Sequence, residues 1–124
     1  MKIKTAQGTA RPASKEPPAG DYRDLYAGLI RLHVLYHACK GTVYGLEMIV
    51  ELRRHGYELS AGTLYPLLHG LERKGLLASM KQRIGGTERR LYRATKAGRA
   101  ALAASRAKVR ELFGELFEEE GSAG

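Results

Sequence analysis

Between residues 76 and 99 the chain carries seven cationic side chains, Lys81, Arg83, Arg89, Arg90, Arg93, Lys96 and Arg99, against the single carboxylate of Glu88. Cations at that density hold polyanions: each one that neutralises a phosphate releases condensed counterions, and such contacts add. The formal charge of the 124-residue chain is +8, so most of the excess is concentrated in this one segment. A second group with reactive potential is His33 and His37, four residues apart, with Cys39 close behind. That spacing turns both imidazoles to one side of a helix, as a metal site requires. No nearby carboxylate completes the set and Cys39 is rotated away, so the trio reads as part of a packed helix and no metal is expected. No Ser, Cys or Asp stands in a recognisable nucleophile motif, and Gly85-Gly86 is a turn rather than a phosphate-binding loop. Neither an enzyme nor a cofactor is expected.

The element that must position the cationic block is the run Ser60 to Gly75. Leu64, Leu67, Leu68 and Leu71 fall at i, i+3, i+4 and i+7, one apolar stripe of a helix. Ser60 is a suitable N-cap and Gly75 a suitable residue just past the C-terminus. Gly62, Tyr65, Pro66, His69 and Arg73 fall on the opposite side, and Ala61 and Gly62 leave the first turn nearly bare. A helix of this kind can press its N-terminal end into a DNA groove. Pro66 threatens the carbonyl four residues back; that residue is Gly62, so the helix is expected to continue through the proline with a slight bend.

Length and composition allow one domain with a modest core. One cysteine excludes an intrachain disulfide framework and fits a reducing cytosol. With no apolar run long enough to span a membrane and no signal-peptide pattern, the chain is expected to be cytoplasmic. Residues 1 to 20 contain Pro12, Pro17 and Pro18 and no apolar period, so they read as a disordered basic leader, either inert or touching phosphates. A first helix is expected from the N-cap Asp21 to Cys39 and a second from about Val43 to His55, ended by Gly56. Together with Ser60 to Gly75 they outline a helix-turn-helix unit. A β-hairpin follows, from Leu76 and Leu77 through the turn Ile84 to Thr87 to a return strand Glu88 to Ala94, which is the wing of a winged helix. Thr95 caps a last helix from Lys96 to about Glu119, with Leu102, Val109, Leu112 and Leu116 near coiled-coil spacing and Phe113 and Phe117 alongside. The fold class is therefore mainly α with a small β-hairpin: a winged helix-turn-helix over residues 21–96, a long C-terminal dimerisation helix over 97–120 and a tail at 121–124. The long helix and the broad apolar surface of the first helix, with Tyr22, Leu25, Tyr26 and Leu29, call for a second copy of the chain.

The runs Val43-Tyr44-Gly45-Leu46-Glu47-Met48, Ser60 to Leu68, Leu71 to Leu76 and Arg89 to Arg99 resemble the PadR-like winged-helix transcriptional regulators of bacteria, over about residues 25 to 117. The Gly-Thr-Leu-Tyr-Pro-Leu-Leu segment is the most specific part, and the single C-terminal helix is similar to the shorter subfamily. Leu46 departs from the aromatic residue that often follows the glycine. The resemblance implies a homodimeric repressor that binds an inverted repeat of double-stranded DNA in a promoter, with release by a planar aromatic effector as an open alternative. It places Tyr44 and Gly45 against a phosphate at the start of the second helix, and Ser60, Gly62, Thr63, Tyr65 and Pro66 at the groove-facing start of the third. Arg89 and Arg90 sit in the second wing strand, with Lys81, Arg83, Gly86 and Thr87 completing the wing.

Several single-residue readings stay open. Tyr65 either contacts DNA or packs beside the leucine stripe, and His69 and Arg73 either reach base edges or are solvated. Tyr92 alternates onto the face of Ala94 and is read as core. Phe113, Phe117, Tyr22, Tyr26 and Tyr36 either line an effector pocket or form an ordinary dimer core. A ligand sensor and a protein-interaction module are the competing function classes, and the charge concentrated on the hairpin argues against the second.

Overall fold

The computed structural model describes residues 22–123, so the leader lies outside the described residues, as does Asp21. The element order is α1 (Arg23–Lys40), β1 (Val43–Tyr44), α2 (Gly45–Arg54), α3 (Ala61–Arg73), β2 (Leu77–Ile84), β3 (Thr87–Ala94) and α4 (Lys96–Ala123). The strands form an antiparallel sheet in the order β1-β3-β2. This is a winged helix-turn-helix with a C-terminal helix.

Several boundaries follow from local chemistry. Tyr22 occupies the N-cap position of α1. Ser60 is the extended N-cap residue of α3, and its carbonyl accepts the first backbone bonds, from Thr63 and Leu64. The helix runs unbroken through Pro66, as expected if Gly62 relieves the proline. It ends at Lys74 and Gly75, where Gly75 takes φ 81°. Gly85 (φ 57°) and Gly86 (φ 81°) form the hairpin turn, the paired positive φ values that match the twist of flanking strands. At the start of α4 the Thr95 hydroxyl accepts from the Gly98 N–H at 3.0 Å and donates to the Gly75 carbonyl, joining the end of α3 to the start of α4.

The core lies between α1, α2, α3 and the root of the wing. Val34, Leu52, Leu64, Leu68 and Tyr92 have no exposed surface, and Ile30, Leu35, Met48, Leu71, Leu77 and Ala94 complete it. Three of the four stripe leucines of α3 are buried and Leu67 is half-buried. Tyr92 is a core residue, as its alternation predicts, but the neighbouring Leu91, on the opposite face of the central strand β3, is buried too.

Three expectations are corrected. The second helix does not begin at Val43. Val43 and Tyr44 pair with Tyr92 and Leu91 as a short strand, and the helix starts only at Gly45. The wing is therefore three-stranded. The last helix does not stop near Glu119 but continues to Ala123, 28 residues in all, or about 42 Å at the usual rise; no unstructured tail precedes Gly124 within the described residues.

Candidate nucleic-acid interface

The leucine stripe seats one side of α3 in the core and thereby turns the other outward. Ser60, Ala61, Gly62, Thr63, Pro66, His69 and Arg73 are all exposed and lie in rows along the helix. The first turn carries no side chain larger than threonine, so a groove edge can approach its backbone closely. The Ser60 hydroxyl donates to Thr63 Oγ1 at 3.4 Å and accepts from no backbone N–H of α3, so no side chain covers the start of the helix, where anions are favoured.

Tyr65 does not share that open face. It is half-buried and packs against the core, with its phenol ring directly over Gly45 at the start of α2. Tyr44, the N-cap of α2, receives the Arg89 guanidinium over its ring at 5.4 Å from the centroid, a cation–π distance. Its own backbone N–H donates to Glu47 Oε1 at 3.3 Å. The tertiary structure thus brings Tyr44, Gly45, Tyr65 and Arg89 together where α2, α3 and the second wing strand meet. Leu46, beside them, is 61 % exposed.

The cations of the block have different employments. Lys81, Arg83, Arg89, Arg90 and Arg93 are all exposed along the hairpin. Arg90 Nη1 donates to Ser79 Oγ at 3.0 Å, and that hydroxyl donates to Glu72 Oε2 at 2.7 Å. This relay fastens the wing to α3 and sets the angle between them. Arg83 Nη1 donates to the Gly86 carbonyl at 3.2 Å and braces the turn beside Thr87. Arg99 leaves the block altogether: its guanidinium donates to the Cys39 carbonyl at 3.0 Å and clamps α4 to the C-terminal end of α1, where cations oppose the helix dipole favourably. Ser79, Glu72 and Arg99 were not legible as positioning residues, since each acts on a partner distant in sequence.

Apart from this face, α1 and α4 leave a large apolar surface. Leu25, Tyr26, Leu29, Val109, Leu112, Phe113, Leu116 and Phe117 are all exposed, and only Tyr22 and Leu102 of the expected interface set are half-buried. Between α1, α2 and α4 lies an open cavity of about 750 Å³, whose apolar walls come from Leu29, Leu32, Tyr36, Leu102, Val109 and Phe113. Tyr22, Tyr26 and Phe117 do not line it. Tyr26 instead meets Tyr57 edge-on at 5.8 Å, Tyr57 meets His33 at 5.4 Å, and His33 lies over His55 at 4.5 Å. Burial, then the neighbouring His55 and His37 rings, hold the His33 imidazole below its ordinary pKa against the pull of Glu51.

Among the described residues no helix is long and apolar enough to cross a membrane.

Comparison with known proteins gives a consistent picture. The sequence pattern of the transcriptional regulator PadR-like family matches residues 34–104. The protein called Transcriptional regulator Rv3488, from Mycobacterium tuberculosis, is 49% identical over 95 residues, which are 77% of this chain and 89% of that one. The crystal structure of a PadR family transcriptional regulator from Eggerthella lenta superposes with a TM-score of 0.68 at 33% identity, over 77% of this chain and 84% of that one. A PadR-like transcriptional regulator from Bacillus cereus superposes with a TM-score of 0.63 at 26% identity, over 76% and 96% of the two chains.

Proposed function

The chain belongs to the PadR-like family of transcriptional regulators, and we propose that it is a cytoplasmic homodimeric repressor that binds an inverted repeat of double-stranded DNA in a promoter. Regulators of this family bind DNA and are not enzymes. The observation that carries the finer reading is the row of Gly62, Thr63, Pro66, His69 and Arg73 exposed along α3 beside an equally exposed cationic wing. In this reading the bare first turn of α3 enters the major groove, and Ser60, Thr63, His69 and Arg73 face base edges and sugar-phosphate. Lys81, Arg83, Arg89 and Arg90 follow the backbone, with Gly86 and Thr87 at the tip, and Tyr44 and Gly45 present the start of α2 to a phosphate. Tyr65 serves by holding α2 against α3 rather than by touching a base. Dimerisation is favoured by the exposed seam of Leu25, Leu29, Val109, Leu112, Phe113, Leu116 and Phe117, an apolar stripe that a monomer would leave in water.

Selection of bound duplexes from a random pool, at low and at near-physiological salt, tests the proposal. An enriched inverted repeat with half-sites about one helical turn apart supports it. Binding that enriches nothing and vanishes with salt would leave only a non-specific electrostatic contact.

The apolar cavity between α1 and α4 favours a second element of the reading, release by a planar aromatic effector stacked on Tyr36 and Phe113. Titration calorimetry with a panel of planar compounds tests it, and a complete absence of heat would remove it.

A further inference from the structure

His33 and His37 stand one turn apart on α1, and Glu51 stands one turn before His55, the residue that ends α2. The i, i+4 spacing is the one at which two helical side chains reach a common point, and here two such pairs face each other across the junction of α1 and α2. The three imidazoles each offer a ring nitrogen, and these nitrogens all lie within 4.8 Å of one another. Glu51 Oε2 accepts from His55 Nε2 at 3.2 Å and lies 3.7 Å from His37 Nε2. All four side chains line the same open cavity, so an ion has a path to them.

We propose that His33, His37 and His55, with Glu51 as fourth ligand, form a binding site for a divalent transition-metal ion of the zinc class. Three imidazoles and one carboxylate are a normal tetrahedral zinc set. Bonds of ~2.05 Å hold tetrahedral nitrogens about 3.3 Å apart, so side-chain torsions need draw the rings together by only roughly 1.5 Å. The surroundings narrow the choice of ion. Arg54 Nη1 lies 3.8 Å from Glu51 Oε1, and Arg106 and Arg110 enter the cavity from α4. A site with three cations nearby and one carboxylate does not attract Ca²⁺ or Mg²⁺, which need several oxygen ligands. It retains an ion that bonds strongly to neutral imidazole. Cys39 has no part in the cluster.

Such an ion ties α1, which contributes Leu25 and Leu29 to the apolar seam, to α2 of the helix-turn-helix. A consequence for DNA affinity rests on the function proposed above; the binding itself does not, and it is tested without DNA.

The test uses the full chain, stripped with chelator and titrated with Zn²⁺ and with Co²⁺. One Zn²⁺ per chain, a raised thermal midpoint and the intense visible bands of four-coordinate Co²⁺ are expected. His33→Gln and His55→Gln should each weaken Zn²⁺ binding by more than about 100-fold, and Glu51→Gln by about 10- to 100-fold. His69→Gln and Cys39→Ser should leave it unchanged. All these side chains are at least partly exposed, and circular dichroism of each variant checks that the fold persists. Absence of stoichiometric binding, or binding that survives both His33→Gln and His55→Gln, overturns the proposal.

Discussion

The phenol ring of Tyr65 occupies the space that a side chain at Gly45 would fill. A Cβ built on Gly45 comes within 2.7 Å of Tyr65 Cε1 and closer still to its hydroxyl. The two residues lie 20 apart in sequence, at the N-terminal ends of the two helices that make the helix-turn-helix. Their contact sets how closely α2 and α3 approach. Gly45→Ala should therefore destabilise the protein by about 1–3 kcal/mol, the usual cost of overpacking. Tyr65→Leu in the same chain should recover part of the loss, and a double-mutant cycle by urea unfolding measures the coupling. Additive effects would refute the contact.

Lys81 and Arg89 are the cleanest probes of the wing, because neither takes part in the relay or the turn brace that engages Arg90 and Arg83. Replacing both with Ala removes four phosphate contacts from a dimer and should lower the slope of log K against log salt by about 3.6, with a similar loss on every duplex. An unchanged slope would show that the wing does not lie on the phosphates.

Phe113→Glu with Leu116→Glu places two charges in the exposed seam of α4. Light scattering should show half the mass of the parent protein, with the helical signal retained and the affinity for an inverted repeat sharply reduced. A variant of unchanged mass would move the dimer interface elsewhere.

Gly98 sits in the first turn of α4, where a Cβ would collide with the Leu76 carbonyl and press on Leu35 Cδ1 at 3.3 Å. The obstacle is backbone, so it cannot swing aside as a side chain would. Gly98→Ala should cost about 2–3 kcal/mol in spite of alanine's better helix propensity. A neutral or stabilising result would show that α4 crosses Leu76 less closely.

Burial pushes the Tyr92 phenol above its ordinary value of 10.0, while the Arg90 cation draws it down. The native state therefore keeps a proton that the unfolded chain loses first. This contribution is intact below pH 10 and is lost as pH rises from there through the raised native value. The Tyr92 hydroxyl has no hydrogen-bond partner among the described residues, so Tyr92→Phe should change stability at neutral pH by no more than about 1 kcal/mol. It should also flatten the alkaline decline, with Tyr57, likewise raised by burial, accounting for part of what remains. Urea midpoints from neutral pH to above pH 10 measure both effects, and a Phe variant with the full alkaline decline would contradict them.

The features legible along the chain are those that depend on neighbours within a turn or two. The leucine stripe of α3, the hairpin glycines, the cap at Thr95 and the unbroken helix at Pro66 are all local, since periodicity and backbone preference act over a few residues. The open face of α3 followed directly, because burying one stripe exposes the opposite one. Which distant groups meet depends on how the elements pack. Val43 and Tyr44 became a strand because β3, nearly fifty residues later, offers them hydrogen-bond partners that a helix start would not. Tyr65 turned from the groove face to Gly45, and Arg99 left the cationic block for the Cys39 carbonyl. His33 and His37 lacked a carboxylate along the chain, and α2 supplied one, together with His55. Each of these rests on a contact between residues more than ten apart, and no local propensity encodes such a contact.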